Sequence, residues 1–274
     1  MHSVTERRTP VPVRIYDPGP GPGARPRPGA GPGSAWDRPL IVFFHGGGWV
    51  LCDLDTHDGL CRRLASLTGA VVVSADYRRA PEHRFPAAAD DAFSVAAWAA
   101  EHARELDCDP ARLIVAGDSS GGNLAAATAL RARDHGARPA IAGQLLLYPV
   151  LDPRLDGVSA SAYAEGFFHT TAHMRWYWDQ YLGPDGDPAD PYAAPGLAPD
   201  LSGLPPALVV LADCDPQREE GLAFARRLSR SGVLAQVQLH TGVFHGFLGA
   251  ADHLPEAYAA LAGAAAWLRG LGTS

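Results

Sequence analysis

The segment ARLIVAGDSSGGNLAAATAL, residues 111–130, decides the fold. Residues 113–116 form a short apolar run that is typical of a buried parallel strand. Residues 117–121 follow directly and match the pattern G-x-S-x-G, with Ser119 at its centre. Residues 123–130 then predict a helix. A strand, a tight turn and a helix are the context in which this pattern presents a serine hydroxyl at the edge of a sheet. A plain glycine-rich loop ahead of a helix is the alternative interpretation.

Similar short apolar runs recur along the chain and alternate with segments of helical spacing. This alternation predicts an α/β fold, in which a mostly parallel, twisted sheet is flanked by helices on both faces. An alternating segment near the start of the chain suggests an additional edge strand. The predicted strands cover residues 11–16, 40–44, 70–75, 113–116, 141–147, 207–211 and 235–239.

Length, composition and charge narrow the class of protein. A chain of 274 residues suits one large domain, spanning residues 1–274, better than two small ones. The net charge of −7 disfavours nucleic acid as a partner. We expect no stable membrane insertion, because no apolar run reaches spanning length, and no signal peptide, because the first residues hold no apolar core. Four cysteines without a C-x-x-C pair indicate reduced thiols and a cytoplasmic location.

A second glycine-rich segment, HGGGW at residues 45–49, follows the strand over residues 40–44. Phosphate binding is one use of such a loop, but the pattern G-x-G-x-x-G and a P-loop lysine are both missing from the sequence. Acyl transfer fits better. The backbone N–H groups of Gly47, Gly48 and Ser120 are then expected to stabilise a developing oxyanion.

Two further residues complete a possible catalytic set with Ser119. Asp215 and His245 each follow a predicted strand, so all three side chains should meet at one edge of the sheet. An imidazole can take the serine proton during attack and return it to the leaving group, while a carboxylate orients the imidazole. Asp213 remains the alternative acid, since it lies two residues before Asp215. His240 and His253 flank His245 and are expected to be surface or packing residues.

Residues 152–200 interrupt the alternation and carry a cluster of aromatic residues. We expect a lid that also lines a substrate pocket, although a satellite core is the alternative. His169 and His173 are spaced as in a metal-binding helix, but a third ligand is missing, so no metal is expected. Residues 17–33 are rich in Pro and Gly and predict a solvated loop. The expected pocket residues are Trp49, Asp118, Phe167, Phe168, Trp176 and Phe247.

These motifs together resemble the hormone-sensitive-lipase family of α/β-hydrolases, in the subgroup with a G-D-S-x-G turn. The matching segments are HGGGW at 45–49, DYRRAPE at 76–82, FPAAADDA at 85–92, GDSSGGN at 117–123, YPVLD at 148–152, DCDP at 213–216 and HGF at 245–247. The resemblance implies the α/β-hydrolase fold and a serine carboxylesterase without a cofactor. It also assigns the acid to Asp215 and the oxyanion hole to the later glycines of HGGG and the residue after Ser119.

Members of that family usually carry a helical cap before the first strand, whereas only about ten residues precede it here. We therefore expect a reduced cap, with the site open or covered by residues 17–33 or by a second subunit of a homodimer. The expected substrate is a small, short-acyl ester or lactone. The sequence leaves open an acyltransferase, an amidase or a biosynthetic cyclase, since these share the acyl-enzyme. A non-catalytic binding protein on the same fold is a further alternative.

Overall fold

The computed structural model describes residues 1–19 and 38–271. Within them, eight strands form one sheet in the order β1-β2-β4-β3-β5-β6-β7-β8. Strands β3 to β8 run parallel to one another, whereas β1 is antiparallel to β2 and β2 is antiparallel to β4. The strands are β1 (Ser3–Arg8), β2 (Pro12–Asp17), β3 (Leu40–Phe44), β4 (Val71–Ala75), β5 (Leu113–Asp118), β6 (Gly143–Leu147), β7 (Ala207–Cys214) and β8 (Ala235–Phe244). The predicted mostly parallel sheet is confirmed.

The central strands are buried on both faces, which explains their continuous apolar sequences. In β3, Val42 and Phe44 belong to the core on one face, while Ile41 and Phe43 belong to the core on the other. A sheet covered on both sides has no solvent face, so alternation with polar residues disappears. The strand over residues 40–44 was therefore predicted with the bounds that the structure gives it.

Helices cover the two faces of the sheet. The first face carries α2 (Ala87–His102), α3 (Ser120–Asp134) and α6 (Arg218–Arg230), and the second carries α1 (Asp58–Thr68) and α7 (Pro255–Gly270). The predicted segments of helical spacing between the strands form helices in the structure, and the helix predicted over residues 123–130 is α3. The bounds of α3 extend beyond that segment, because helix ends depend on local caps that apolar spacing does not reveal. No helix in the described ranges is both long and apolar enough to cross a bilayer.

The segment between β6 and β7 holds two helices, α4 (Val158–Ala162) and α5 (Thr171–Leu182). Thr170 caps α5, since its hydroxyl accepts a hydrogen bond of 3.0 Å from the backbone N–H of His173. Met174, Trp178 and Tyr181 form the buried face of this helix. Their spacing of three and four residues fixes α5 against the main core.

The N-terminal region differs from the expectation in one respect. Ser3–Arg8 forms strand β1, which pairs with β2, although its sequence SVTERR holds little apolar signal. Its side chains are mostly exposed, so backbone pairing rather than burial accounts for the strand. Residues 1–19 form strands and loops without a helix. Most of the predicted loop over residues 17–33, from residue 20 onward, lies outside the described residues.

Candidate active site

Ser119 lies in a strained turn between β5 and α3. Its backbone has φ 54° and ψ −120°, a conformation that L residues rarely adopt. A Cβ at Gly121 would lie 1.9 Å from the carbonyl oxygen of Phe44, and one at Gly117 would lie 2.2 Å from that of Gly121. Both positions therefore require glycine. The turn brings the Ser119 hydroxyl out of the strand and into a cavity at the edge of the sheet.

The structure brings Ser119, His245 and Asp215 into one hydrogen-bonded chain. His245 Nε2 lies 2.8 Å from Ser119 Oγ, and His245 Nδ1 lies 2.8 Å from Asp215 Oδ2. All three residues are buried. In this arrangement the imidazole can accept the serine proton at Nε2 while the carboxylate holds the proton on Nδ1.

The two candidate acids have different surroundings. Asp215 Oδ1 accepts a hydrogen bond of 2.8 Å from the backbone N–H of Gln217, which leaves Oδ2 for His245. Asp213 Oδ1 is buried and has no hydrogen-bond partner among the described residues. Of the two, the structure places only the Asp215 carboxylate on the imidazole.

The HGGG segment forms a tight turn beside Ser119. The carbonyl of Gly47 accepts hydrogen bonds from the N–H groups of Val50 and Leu51, at 3.1 and 2.8 Å. Gly47 and Gly48 have φ values of 117° and 61°, which favour glycine. A Cβ at Gly48 would also lie 2.2 Å from the ring of Tyr177. Both glycines line the same cavity as Ser119, so their main chain is open to a bound molecule.

Asp118 connects this turn to the serine. Its Oδ1 accepts a hydrogen bond of 2.8 Å from the backbone N–H of Gly46 and lies 3.1 Å from His57 Nε2. Burial alone would raise the pKa of Asp118, but the neighbouring His57 outweighs it and the pKa is lowered. Burial likewise acts to lower the pKa of His57, and the Asp118 carboxylate reverses this and raises it. The two residues form a largely buried ion pair in the wall of the cavity.

A variant tests the charge of this pair. The raised pKa of His57 adds stability that is present below the unfolded-chain value of about 6.5 and is lost as pH rises through the folded value. The lowered pKa of Asp118 adds stability that is present above about pH 3.9 and is lost as pH falls through its folded value. We expect His57→Gln to lower the free energy of unfolding by roughly 1–3 kcal/mol near pH 6 and by less near pH 9.

Urea titrations of both proteins from pH 5 to pH 9 measure this difference, because the range begins below the ordinary histidine pKa of about 6.5 and extends well above it. His135→Gln serves as the control, since His135 is exposed and remote from the cavity. A destabilisation by His57→Gln that increases with pH would contradict the ion pair.

His45, the first residue of the HGGG segment, has a packing role in the structure. Its ring is buried and stacks on Tyr77 at 4.3 Å between centroids, and the Tyr77 hydroxyl donates to its carbonyl at 2.7 Å. Burial lowers the pKa of His45 to about 4, so the ring is neutral near pH 7. The stacked pair supports the turn that carries Gly47 and Gly48.

The cavity at Ser119 has a volume of about 460 Å³. Its wall combines the HGGG turn, helix α1, the segment around His245 and residues from the β6–β7 segment. Phe168, His169 and Tyr177 are the contributions of this last segment. At its mouth, Arg63 of α1 forms an ion pair with Asp252, which follows His245 in the chain. A cavity of this size accommodates a small organic molecule.

Two of the six predicted pocket residues, Asp118 and Phe168, line this cavity. Trp49 does not, because it is fully buried and its ring stacks on Tyr181 at 4.1 Å. Phe247 is also fully buried and packs 5.7 Å from the ring of Tyr148. Both residues lie within two positions of a site residue in sequence, yet their side chains enter the core, where they hold the neighbouring backbone in place.

The other two predicted pocket residues also lie away from the cavity wall. Phe167 packs edge-on against Tyr163 at 5.1 Å, and Trp176 is 48% exposed. Sequence reasoning missed Tyr177, which lines the cavity. The helical spacing could have identified it. Met174 and Trp178 lie on the buried face of α5, and position 177 adjoins that face whereas position 176 does not.

His169 and His173 do not form a metal site with other side chains. Their rings are 6.2 Å apart and nearly perpendicular. Across the part of the chain that the structure describes, no group of three or more His, Cys, Asp or Glu side chains has metal-binding geometry.

Comparison with known proteins agrees with this geometry. Residues 41–249 match a family model described as the alpha/beta hydrolase fold. The carboxylic ester hydrolase LipN of Mycobacterium tuberculosis is 44% identical over 224 residues, which cover 79% of this chain and 59% of that protein. The ethyl acetate hydrolase of Pseudomonas putida is 38% identical over 249 residues, which cover 90% of this chain and 74% of that protein.

Solved structures give the same result. An esterase of the archaeon Pyrobaculum calidifontis superimposes with a TM-score of 0.90 at 40% identity, over 100% of this chain and 87% of that one. The match extends across the sheet, both helical layers and the β6–β7 segment. The chain belongs to the α/β-hydrolase family, in its hormone-sensitive-lipase-like branch.

Proposed function

We propose that this protein is a serine carboxylesterase that hydrolyses small esters through an acyl-enzyme on Ser119. The observation that carries the proposal is the chain of two 2.8 Å contacts from Ser119 through His245 to Asp215. The membership of the chain in the α/β-hydrolase family, and the ester-hydrolase names of its relatives, support the same class of enzyme.

In the first half of the reaction, Ser119 Oγ attacks the ester carbonyl and gives its proton to His245 Nε2. The carbonyl oxygen becomes an oxyanion, to which Gly47, Gly48 and Ser120 donate their backbone N–H groups. Ser120 begins α3, so its N–H lacks a partner within the helix and lies at the positive end of the helix dipole.

The tetrahedral intermediate then collapses. The bond between the carbonyl carbon and the alcohol oxygen breaks, and His245 passes its proton to the leaving alcohol. Water enters next, gives a proton to His245 and attacks the acyl carbon, and the acid leaves as Ser119 recovers its proton. Asp215 keeps the imidazole in the tautomer that both halves require.

We assign a short acyl group to the substrate. The cavity of about 460 Å³ is bounded by Leu51, Leu60 and Leu248, which limit the length of chain that can enter. The segment over residues 152–200 acts as the lid, because Phe168, His169 and Tyr177 approach Ser119 from it. The substrate named for the Pseudomonas relative, ethyl acetate, is an ester of this size.

Hydrolysis of p-nitrophenyl esters tests the function. We expect turnover of the acetate with a burst of p-nitrophenol, and a fall in kcat/KM of at least about tenfold from the butanoate to the decanoate, because the longer chain exceeds the cavity. Absence of turnover for every ester would favour a non-catalytic binding protein. A burst without further turnover, relieved by an added alcohol or amine, would favour an acyltransferase, an amidase or a cyclase.

Partners and location follow from other features. The four cysteines are unpaired, which supports a reducing, cytoplasmic location. The negative net charge disfavours nucleic acid. A homodimer is the proposed assembly, because β8 lies at the edge of the sheet and carries the exposed side chains of Val237 and Leu239.

A further inference from the structure

A second imidazole lies beside the proposed catalytic histidine. The ring of His169 is centred 5.2 Å from that of His245 and stands at 75° to it. His169 precedes α5, and it lines the same cavity as Ser119. Its other ring neighbours are Phe168 at 5.0 Å, Tyr177 at 6.1 Å and His173 at 6.2 Å. The proposed mechanism assigns no role to this residue.

His169 is a neutral group near pH 7. Burial, together with the neighbouring His245 and His173, lowers its pKa to about 4. A neutral imidazole has one N–H donor and one lone pair, and its surroundings determine which nitrogen carries the hydrogen.

The Nδ1 atom decides the tautomer. It is buried and has no hydrogen-bond partner among the residues of ranges 1–19 and 38–271. A buried N–H without a partner is rarer in proteins than a buried acceptor without one. The favoured tautomer therefore carries its hydrogen on Nε2. Because the ring forms part of the cavity wall, the polar group left to face the cavity is this Nε2–H donor.

His169 lies on the side of the site where the alcohol portion of a bound ester is expected. His245 Nε2 faces Ser119 and returns the proton to the leaving oxygen, so the alcohol must lie against His245. His169 contacts His245, whereas Gly47 and Gly48 adjoin the carbonyl oxygen. An N–H donor beside the alcohol selects for an oxygen that can accept a hydrogen bond there.

We propose that His169 is a specificity residue whose Nε2–H binds an oxygen of the leaving alcohol, so that the preferred substrates are short-acyl esters of ether- or hydroxyl-bearing alcohols. This inference rests on the proposed esterase function and names its substrate class more closely. Phe168, whose ring is centred 5.0 Å from that of His169, adds an apolar surface to the cavity wall beside the donor.

Two esters of equal shape isolate this contact. In 2-methoxyethyl acetate an ether oxygen replaces one methylene group of butyl acetate. For each protein we divide kcat/KM for the ether ester by kcat/KM for the butyl ester, and we compare this ratio between the variants and the wild type. Differences in the intrinsic reactivity of the two esters then cancel. We expect His169→Leu, which lacks the donor, to lower the ratio of the ether ester to the butyl ester by roughly two- to tenfold, the effect of one neutral hydrogen bond. His169→Gln retains an N–H donor and should restore most of the ratio.

Controls separate this result from other effects. His135→Leu removes an exposed, remote imidazole and should keep the wild-type ratio. His169→Phe is a second variant without the donor, for use if the leucine protein does not fold. The pair ethyl 3-methoxypropanoate and ethyl pentanoate places the same oxygen in the acyl portion, where we expect no dependence on His169.

The outcomes distinguish the two proposals. Active variants without the donor that keep the wild-type ratio would overturn the role of His169 and leave the esterase function standing. A ratio that changes only for the acyl-side pair would also overturn it. A wild-type protein that hydrolyses none of the four esters would overturn the proposed function and this inference together.

Discussion

Replacing Ser119 by alanine is expected to lower kcat for p-nitrophenyl acetate by about 10⁶-fold, because the members of a serine triad act as a unit. Alanine keeps the Cβ atom, so the strained backbone at φ 54° and the glycine contacts around it are unchanged. The loss should therefore appear in the rate while the folded structure stays intact. Steady-state kinetics and the thermal unfolding curve of the variant measure the two quantities.

A matched serine provides the control for this variant. Ser229 is exposed on α6, so Ser229→Ala should retain the wild-type rate within about twofold, as surface substitutions usually do. A Ser119→Ala protein that is folded and keeps more than about one per cent of the wild-type rate, well above the residual rate of a disabled triad, would contradict the role of Ser119 as nucleophile.

Replacing Asp215 by asparagine is expected to lower kcat by about 10⁴-fold. The side-chain oxygen of asparagine can still accept the hydrogen bond from the N–H of Gln217, which directs its NH₂ group toward His245 Nδ1. His245 Nδ1 must then accept a hydrogen bond from the NH₂ group, so the imidazole carries its hydrogen on Nε2. An imidazole in this tautomer cannot take the proton of Ser119.

Asp213→Asn is the corresponding control, two residues before Asp215 and near the end of strand β7. The buried Oδ1 of Asp213 has no hydrogen-bond partner among the described residues, and the carboxylate on His245 is that of Asp215, so the change leaves the contacts of His245 in place. We expect its rate to stay within about tenfold of wild type, far above that of Asp215→Asn. The reverse order of the two variants would assign the acid to Asp213 and contradict the geometry described above.

Much of the fold could be predicted because the informative residues are local in sequence. The strand over Leu40–Phe44 and the turn at Ser119 are encoded by a short apolar run and by closely spaced glycines. Strand β1 was missed, because Ser3–Arg8 is held by backbone pairing with β2 and offers little hydrophobic pattern. Pairing of this kind depends on a neighbouring strand and not on the side chains themselves.

The cavity wall was harder to predict than the triad. Residues such as Trp49 and Phe247 lie next to site residues in sequence, but their side chains enter the core. His57 and Asp118 are far apart in sequence and meet only because β3 and β5 are neighbours in the sheet. Contacts of this kind follow from the three-dimensional packing, which aromatic content and motif spacing do not encode.

The site of covalent modification tests the central claim most directly. The protein is treated with diethyl p-nitrophenyl phosphate, digested, and sequenced by mass spectrometry. We expect one diethylphosphoryl group on Ser119, formed with release of p-nitrophenol, absent from Ser119→Ala and formed more slowly in Asp215→Asn. Modification of a different residue with parallel loss of esterase activity, or full inhibition without modification of Ser119, would contradict it.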